Sequence, residues 1–231
     1  CAEFVTLPAE QAVPLPEAAS YADGACLGIP AQTAHRCLLA DGPVEGLDVL
    51  VTGGAGTVGG YAVQMAKRAG ARVVATVSTH EKADHARAMG ADAVVNYREG
   101  DTAAAIMDAT AGRGVDRIVE VEFGGNLDVT RAVLKDNGIV ASYGSMKVPE
   151  PVLAFYPMMF AGQTLRTVLV YKLPKAARRA AIDDITGWLS AGALAHPVAA
   201  RVPLIEAARA HELVESGARI GAVLVDVAEG V

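Results

Sequence analysis

The stretch Asp48-Val49-Leu50-Val51-Thr52-Gly53-Gly54-Ala55-Gly56-Thr57-Val58-Gly59-Gly60 decides the fold. It reads as a short apolar strand, a turn of the form G-x-G-x-x-G at Gly54, Gly56 and Gly59, and then a helix. A glycine pattern alone says little; a strand before it and a helix after it make it a dinucleotide fingerprint. Gly54 permits the tight turn, Gly56 lets the backbone approach a pyrophosphate, and Gly59 lets the helix pack closely on the strand. The diphosphate is expected beside Ala55, Gly56, Thr57, Val58 and Gly59, at the helix N-terminus. Free N–H groups and the positive end of the helix dipole favour an anion there. Packing alone does not ask for five glycines in eight residues.

On the C-terminal side the text alternates between helix and strand. Helix 57–69 turns Val58, Ala62, Met65 and Ala69 inward and closes with Lys67, Arg68 and Gly70, as dipole and C-cap chemistry prefer. Strand 72–77, helix 80–89, strand 93–96, helix 101–111, strand 117–121, helix 126–135 and strand 138–143 follow. Apolar strands separated by helices imply a parallel sheet covered on both faces. Right-handed crossovers then give a doubly wound α/β fold whose crevice lies beyond the strand C-termini.

The flanks are less regular. Residues 1–16 suggest one or two short strands among Pro8, Pro14 and Pro16, and 17–40 a helix broken near Gly28-Ile29-Pro30. After Gly144 a proline-rich segment carries Phe155-Tyr156-Pro157-Met158-Met159-Phe160, expected to be core or a subunit contact. Strand 164–170, helix 174–190, strand 198–202, helix 205–216 and strand 220–227 complete the chain. The opening at Cys1, directly on strand-like alternation, suggests that an N-terminal portion of a longer protein is missing.

Composition narrows the partners. With 231 residues and 52% hydrophobic content the chain can bury a full core. A net charge of −6 argues against nucleic acid and anionic membrane as partners, and no apolar run is long enough to span a bilayer. Cys1, Cys26 and Cys37 are an odd number without paired spacing, which points to free thiols in a reducing cytoplasm. His35 and Cys37 lie close together but lack further ligands, so no metal site is expected.

The second strand tells which dinucleotide is expected. NAD sites place an acid about 20 residues past the glycines to hold the ribose hydroxyls; NADP sites replace it with small and basic groups. Here the strand ends Thr76-Val77-Ser78-Thr79, without a carboxylate at that place. Ser78, Lys82 and Tyr97 can converge on a 2′-phosphate, through a hydroxyl, a charge and a phenol. Glu81, in the first turn of its helix, is expected to face solvent. NADPH is therefore the expected cofactor.

The run Val49–Lys67, the Ser78-x-x-x-Lys82 spacing and Asn96-Tyr97-Arg98 resemble the quinone oxidoreductase (zeta-crystallin-like) branch of the medium-chain dehydrogenase/reductase superfamily. So do Leu27–Ala34 upstream and the tail Ala207–Glu212 with Gly221–Val225. The resemblance implies a zinc-free, NADPH-dependent reductase, commonly a homodimer, in which a Rossmann domain follows a GroES-like barrel. Residues 1–24 would be the C-terminal remnant of that barrel with its last strands, 25–195 the NADP-binding Rossmann domain, and 196–231 a segment returning to the catalytic domain. It also implies that Thr33 lies near the nicotinamide and that Phe123, Gly144, Ser145 and Leu169 line the cofactor at later strand ends. Phe123 is bulkier than is usual at its position, which narrows the nicotinamide end.

The expected chemistry is hydride transfer from NADPH to a quinone, an enone or another conjugated carbonyl. The protein positions the acceptor and excludes water while the cofactor carries the reaction. Tyr143 and Tyr156 are the only plausible proton donors near strand ends, both with a stronger structural reading, and no catalytic residue is assigned. An enoyl-thioester reductase on the same scaffold and a non-catalytic NADPH-binding module are the alternatives. The strand at 164–170 is expected at the sheet edge, where an apolar unpaired strand invites a two-fold partner.

Overall fold

Six parallel strands in the order β3-β2-β1-β4-β5-β6 form the centre of the molecule, seen in a computed structural model. The structure describes residue 2 and residues 4–227, apart from the side chain of Glu10. The strands are β1 (Asp48–Val51), β2 (Arg72–Val77), β3 (Ala93–Asn96), β4 (Val115–Glu120), β5 (Leu134–Ser142) and β6 (Thr164–Thr167). Their order reverses between β1 and β4, and such a switch point opens a crevice beyond the strand C-termini.

Every residue of β1 is buried, because both faces of the strand are covered. Val49 and Val51 pack into one core with α1 (Tyr21–Leu39), α2 (Thr57–Arg68), α3 (His80–Ala88) and α7 (Lys175–Ser190). Leu50, between them, packs into the other with α4 (Thr102–Ala109) and α5 (Leu127–Val133). The two-residue period of the strand thus divides one apolar run between two layers of helix. Helix α2 behaves as its pattern demands: Ala62 and Met65 are buried, and Val58 and Ala69 pack partly buried against the same core.

Helix α1 runs through a kink at Gly28, whose backbone leaves helical geometry (φ −7°, ψ −106°) two residues before Pro30. That is the break expected from Gly28-Ile29-Pro30. At the other end, buried Arg117 of β4 donates to the carbonyls of Leu38, Asp41 and Gly42, satisfying the last turn of α1 and the loop after it.

Several expectations are corrected. The described residues of 1–16 form no strand, only a 3-10 turn at Ala9–Gln11; three prolines remove ladder donors there. Cys1, expected as a free thiol, lies outside the described residues, while Cys26 and Cys37 are free and buried. β5 begins at Leu134 rather than 138, because a bulge around Asn137 (φ +59°) restores pairing after a register shift. β6 ends at Thr167, where the chain turns into a 3-10 segment at Val170–Lys172. Finally, the aromatic segment forms a short helix, α6 (Phe155–Phe160), with no buried residue, so it is not core.

Beyond α7, β7 (Val198–Pro203) and β8 (Ala222–Asp226) pair in parallel as a separate two-stranded sheet around α8 (Ala207–Glu215). Helix α2 grips the lead-in to this unit. Tyr61 bonds His196 Nδ1 at 2.7 Å, Gln64 exchanges two bonds with Ala195, and Arg68 donates to the Ala193 carbonyl.

Candidate dinucleotide site

The turn after β1 is tighter than its glycine spacing suggests. Gly53, not Gly54, takes the left-handed backbone (φ +66°), and the Gly56 amide closes the turn onto the Gly53 carbonyl at 2.9 Å. Gly54 is required for a different reason: a Cβ there would sit 2.7 Å from the Cβ of Ala75 on β2. At Gly59 a Cβ would lie 2.2 Å from the Gly53 carbonyl oxygen, so α2 can approach the turn only with hydrogen at that position. Gly56 is the N-cap of α2 and supplies no side-chain hydrogen bond. The first amides of a helix lack intrahelical partners, so the backbone at Thr57, Val58 and Gly59 keeps donors for an anion.

A cleft of about 230 Å³ adjoins this turn and is lined by Gly53, Ala55, Gly56, Ser78, Lys82 and Tyr97. Residues from β1, β2, α3 and the end of β3 thus meet in one concavity. Ser78 is buried, Tyr97 is half exposed, and Thr79 caps α3 by accepting from the Lys82 amide. Lys82 Nζ donates to the Gly217 carbonyl at 2.8 Å, and Glu81 is exposed. The same cleft is lined by Val214, Gly217 and Arg219 from the C-terminal unit. Arg219 donates one guanidinium bond to the Gly221 carbonyl, while its buried Nε has no partner among the described residues. Nothing in the local sequence around Arg219 announces this placement; only the return of the chain past α8 brings it there.

A second and larger cavity, about 660 Å³, opens over the ends of β5 and β6. Phe123, Gly144, Ser145 and Leu169 all line it. Gly144 is pressed to the backbone, since a Cβ there would lie 2.5 Å from the Val121 carbonyl oxygen. The Ser145 hydroxyl is occupied: it accepts from the Gly124 amide at 2.9 Å and donates to the Val148 carbonyl at 2.6 Å. Thr33 is not among the side chains lining either cavity. It is buried and donates its hydroxyl to the Ile29 carbonyl at the helix kink. Tyr143 carries a phenol whose pKa is pushed up, mainly by burial and then by the neighbouring Cys37 and Glu120.

Glu120 joins the two regions. It is wholly buried, and its Oε1 accepts from Thr52 Oγ1, the Glu122 amide and Asn126 Nδ2 at 2.9, 2.6 and 2.8 Å. Its Oε2 has no partner among the described residues. Burial therefore raises the pKa of the carboxyl, against the lowering effect of those three bonds. Thr52 in turn accepts from the Val121 amide at 2.9 Å, so the ends of β1 and β4 are tied at the switch point.

A G-x-G-x-x-G turn opening a helix, at the switch point of a six-stranded parallel sheet, defines a Rossmann-type dinucleotide-binding domain. The profile of a family described as zinc-binding dehydrogenase matches residues 57–186, more than half of the chain, and the chain belongs to that family, on its quinone oxidoreductase-like side. Among curated proteins it is 32% identical to the 2-haloacrylate reductase of a Burkholderia species over 77% of its length, covering 54% of that protein. It is 31% identical to the human quinone oxidoreductase over 88% of its length, covering 61%. The chain thus spans somewhat over half of these relatives. Among solved structures, Escherichia coli quinone oxidoreductase complexed with NADPH superposes with a TM-score of 0.84 at 27% identity, over 95% of this chain and 69% of that one. An NAD-dependent alcohol dehydrogenase gives 0.86 at 27% identity, over 98% and 65%. Among the described residues no group of three or more His, Cys, Asp or Glu side chains is placed to hold a metal ion, and no helix is long and apolar enough to cross a membrane.

Proposed function

We propose that this chain is the cofactor-binding part of an NADPH-dependent oxidoreductase that passes hydride to a quinone or another conjugated carbonyl. The observation that carries the reading is the cleft shared by the glycine turn with Ser78, Lys82, Tyr97 and Arg219. Its residues suit a phosphorylated adenosine: a buried hydroxyl, two cations, a guanidinium Nε without a partner, and no carboxylate among the lining side chains. The amides at Thr57, Val58 and Gly59 would hold the diphosphate, and Phe123, Gly144 and Leu169 would border the nicotinamide. Ser145 would act there through its backbone, its hydroxyl being engaged, whereas Thr33, which lines neither cavity, would act only by holding the kink of α1. When bound, NADPH supplies the hydride; the chain binds, orients and screens the reacting end from water. The relatives named as reductases of conjugated substrates support the acceptor class.

Equilibrium titration of NADPH fluorescence tests the cofactor half. Lys82→Ala should weaken NADPH about tenfold and leave NADH nearly unchanged, since one charge-assisted phosphate bond is lost. Ser78→Asp should reverse the preference by placing a carboxylate against the phosphate. Equal affinity for both coenzymes in the parent chain would end the NADPH assignment. Turnover with a panel of quinones and enoyl thioesters separates quinone reduction from the thioester alternative, and absence of turnover with NADPH bound favours a binding module.

Assembly as a homodimer belongs to the same reading. β6 is the edge of the six-stranded sheet, and α6, just before it in sequence, exposes Phe155, Tyr156, Met159 and Phe160. The buried free thiols of Cys26 and Cys37 suit a reducing cytoplasm.

A further inference from the structure

Arg36 stands one helical turn after Thr33 on α1 and is half-buried, yet its guanidinium makes no hydrogen bond or ion pair among the described residues. The acid near it is already taken. Asp41 is held below the ordinary carboxylate range chiefly by its paired bonds from Arg166, with Arg36 a lesser contributor. Arg36 lines the cavity of about 660 Å³ together with Lys172, which lies one turn past Leu169. Arg166 lines it too, so three cations and no carboxylate face this space in a chain whose net charge is −6. A partly dehydrated guanidinium without a bonded counter-ion is costly, and a planar carboxylate is one group whose two oxygens match its fork.

We propose that Arg36 and Lys172 receive the carboxylate of an acidic conjugated acceptor, a 2-enoate, in the cavity lined by Phe123 and Leu169. The proposal deepens the reductase reading above and rests on it for the reaction. A 2-enoate taking hydride from NADPH at its β-carbon sends the electron pair of its double bond toward the carboxylate oxygens. A solvent proton then reaches the α-carbon, giving the saturated acid, and NADPH leaves as NADP⁺. Cations at the carboxylate stabilise the charge where it accumulates, which a neutral wall would not do.

Isothermal titration of the whole chain, with and without NADPH, tests the site with crotonate, methyl crotonate and inorganic phosphate as probes. Crotonate should bind, and both other probes should bind at least about tenfold more weakly. Arg36→Met should weaken crotonate by about tenfold or more and Lys172→Met by about threefold, with NADPH affinity within about twofold of the parent. Arg36→Lys retains the charge without the fork and should lose about threefold, which keeps the test decisive if the methionine variant misfolds. Equal binding of crotonate and its ester, phosphate binding as tight as crotonate, or indifference of crotonate to both Arg36 variants overturns the proposal. Crotonate bound through Arg36 by a chain that takes no NADPH would sink the reductase reading and leave the carboxylate site standing.

Discussion

The turn after β1 and the loops after β5 and β6 border the same crevice but are built on opposite terms. Around Gly53–Gly59 the chain finishes its own surface: Ala75 of β2 fills the space where a Cβ of Gly54 would stand, and the Gly53 carbonyl fills that of Gly59. Around Met146–Phe160 it leaves the surface unfinished, with Met146, Val152, Phe155 and Phe160 from 67 to 90% exposed. A phosphate needs only fixed amides, which a rigid turn supplies. An apolar acceptor needs walls, and exposed side chains of this kind become walls only when another surface covers them.

The contrast can be broken most severely at Gly59. Gly59→Ala drives a methyl against a carbonyl oxygen of the backbone, which no side-chain rotation relieves. It should cost about 3 kcal/mol of stability and abolish NADPH binding. A denaturant midpoint equal to that of the parent would show that the turn is looser than described.

Glu120, which ties both sides, comes next. Glu120→Ala removes the acceptor shared by three donors, leaving the Glu122 amide and Asn126 Nδ2 without it while Thr52 keeps the Val119 carbonyl, and should cost about 2 kcal/mol, whereas Glu120→Gln keeps an acceptor and should cost less than half as much. Burial holds the folded carboxyl above its ordinary pKa of 4.5, so the folded protein keeps a proton that the unfolded chain releases. This contribution to stability is complete below 4.5 and is lost as pH rises through the folded value. Unfolding free energies measured across that range should fall with pH in the parent and be flatter in Glu120→Gln; parallel curves would mean that Glu120 is ionised in the fold.

The smallest effect on stability is expected on the unfinished side. Phe160→Ser removes a side chain that is 80% exposed, so the unfolding free energy of the single chain should change by less than about 0.5 kcal/mol. If two copies pair through this face as proposed above, sedimentation should nevertheless show that pairing weakened. A parent chain that stays monomeric at high concentration would remove the partner from this face.

Legibility followed the same division. The doubly wound sheet could be read from Asp48 onward because short apolar runs such as Val49-Leu50-Val51, Val73-Val74-Ala75 and Ile139-Val140-Ala141 mark its strands, and helix α2 carries its own stop at Lys67-Arg68-Gly70. Ser78, Lys82 and Tyr97 were legible because their spacing from the glycines is fixed by that sheet, and they line one cleft. Arg219 was not legible, since it arrives from a distant segment through contacts that leave no periodic trace. The division of labour between Gly53 and Gly54 was hidden as well: which glycine turns and which one packs depends on Ala75, a residue of the next strand. The bulge at Asn137 and the early end of β6 escaped for a related reason, because composition does not record where pairing slips.

The far wall of the cleft proposed for adenosine belongs to a different structural unit from its floor. Gly217 and Arg219 ride on the tail that α2 fastens through Tyr61, Gln64 and Arg68, while the glycine turn is fixed by the sheet. If the cleft holds the coenzyme as proposed, its selectivity would rest on two separable parts, and a change in the tail would retune one of them without disturbing the strand order behind the glycine turn.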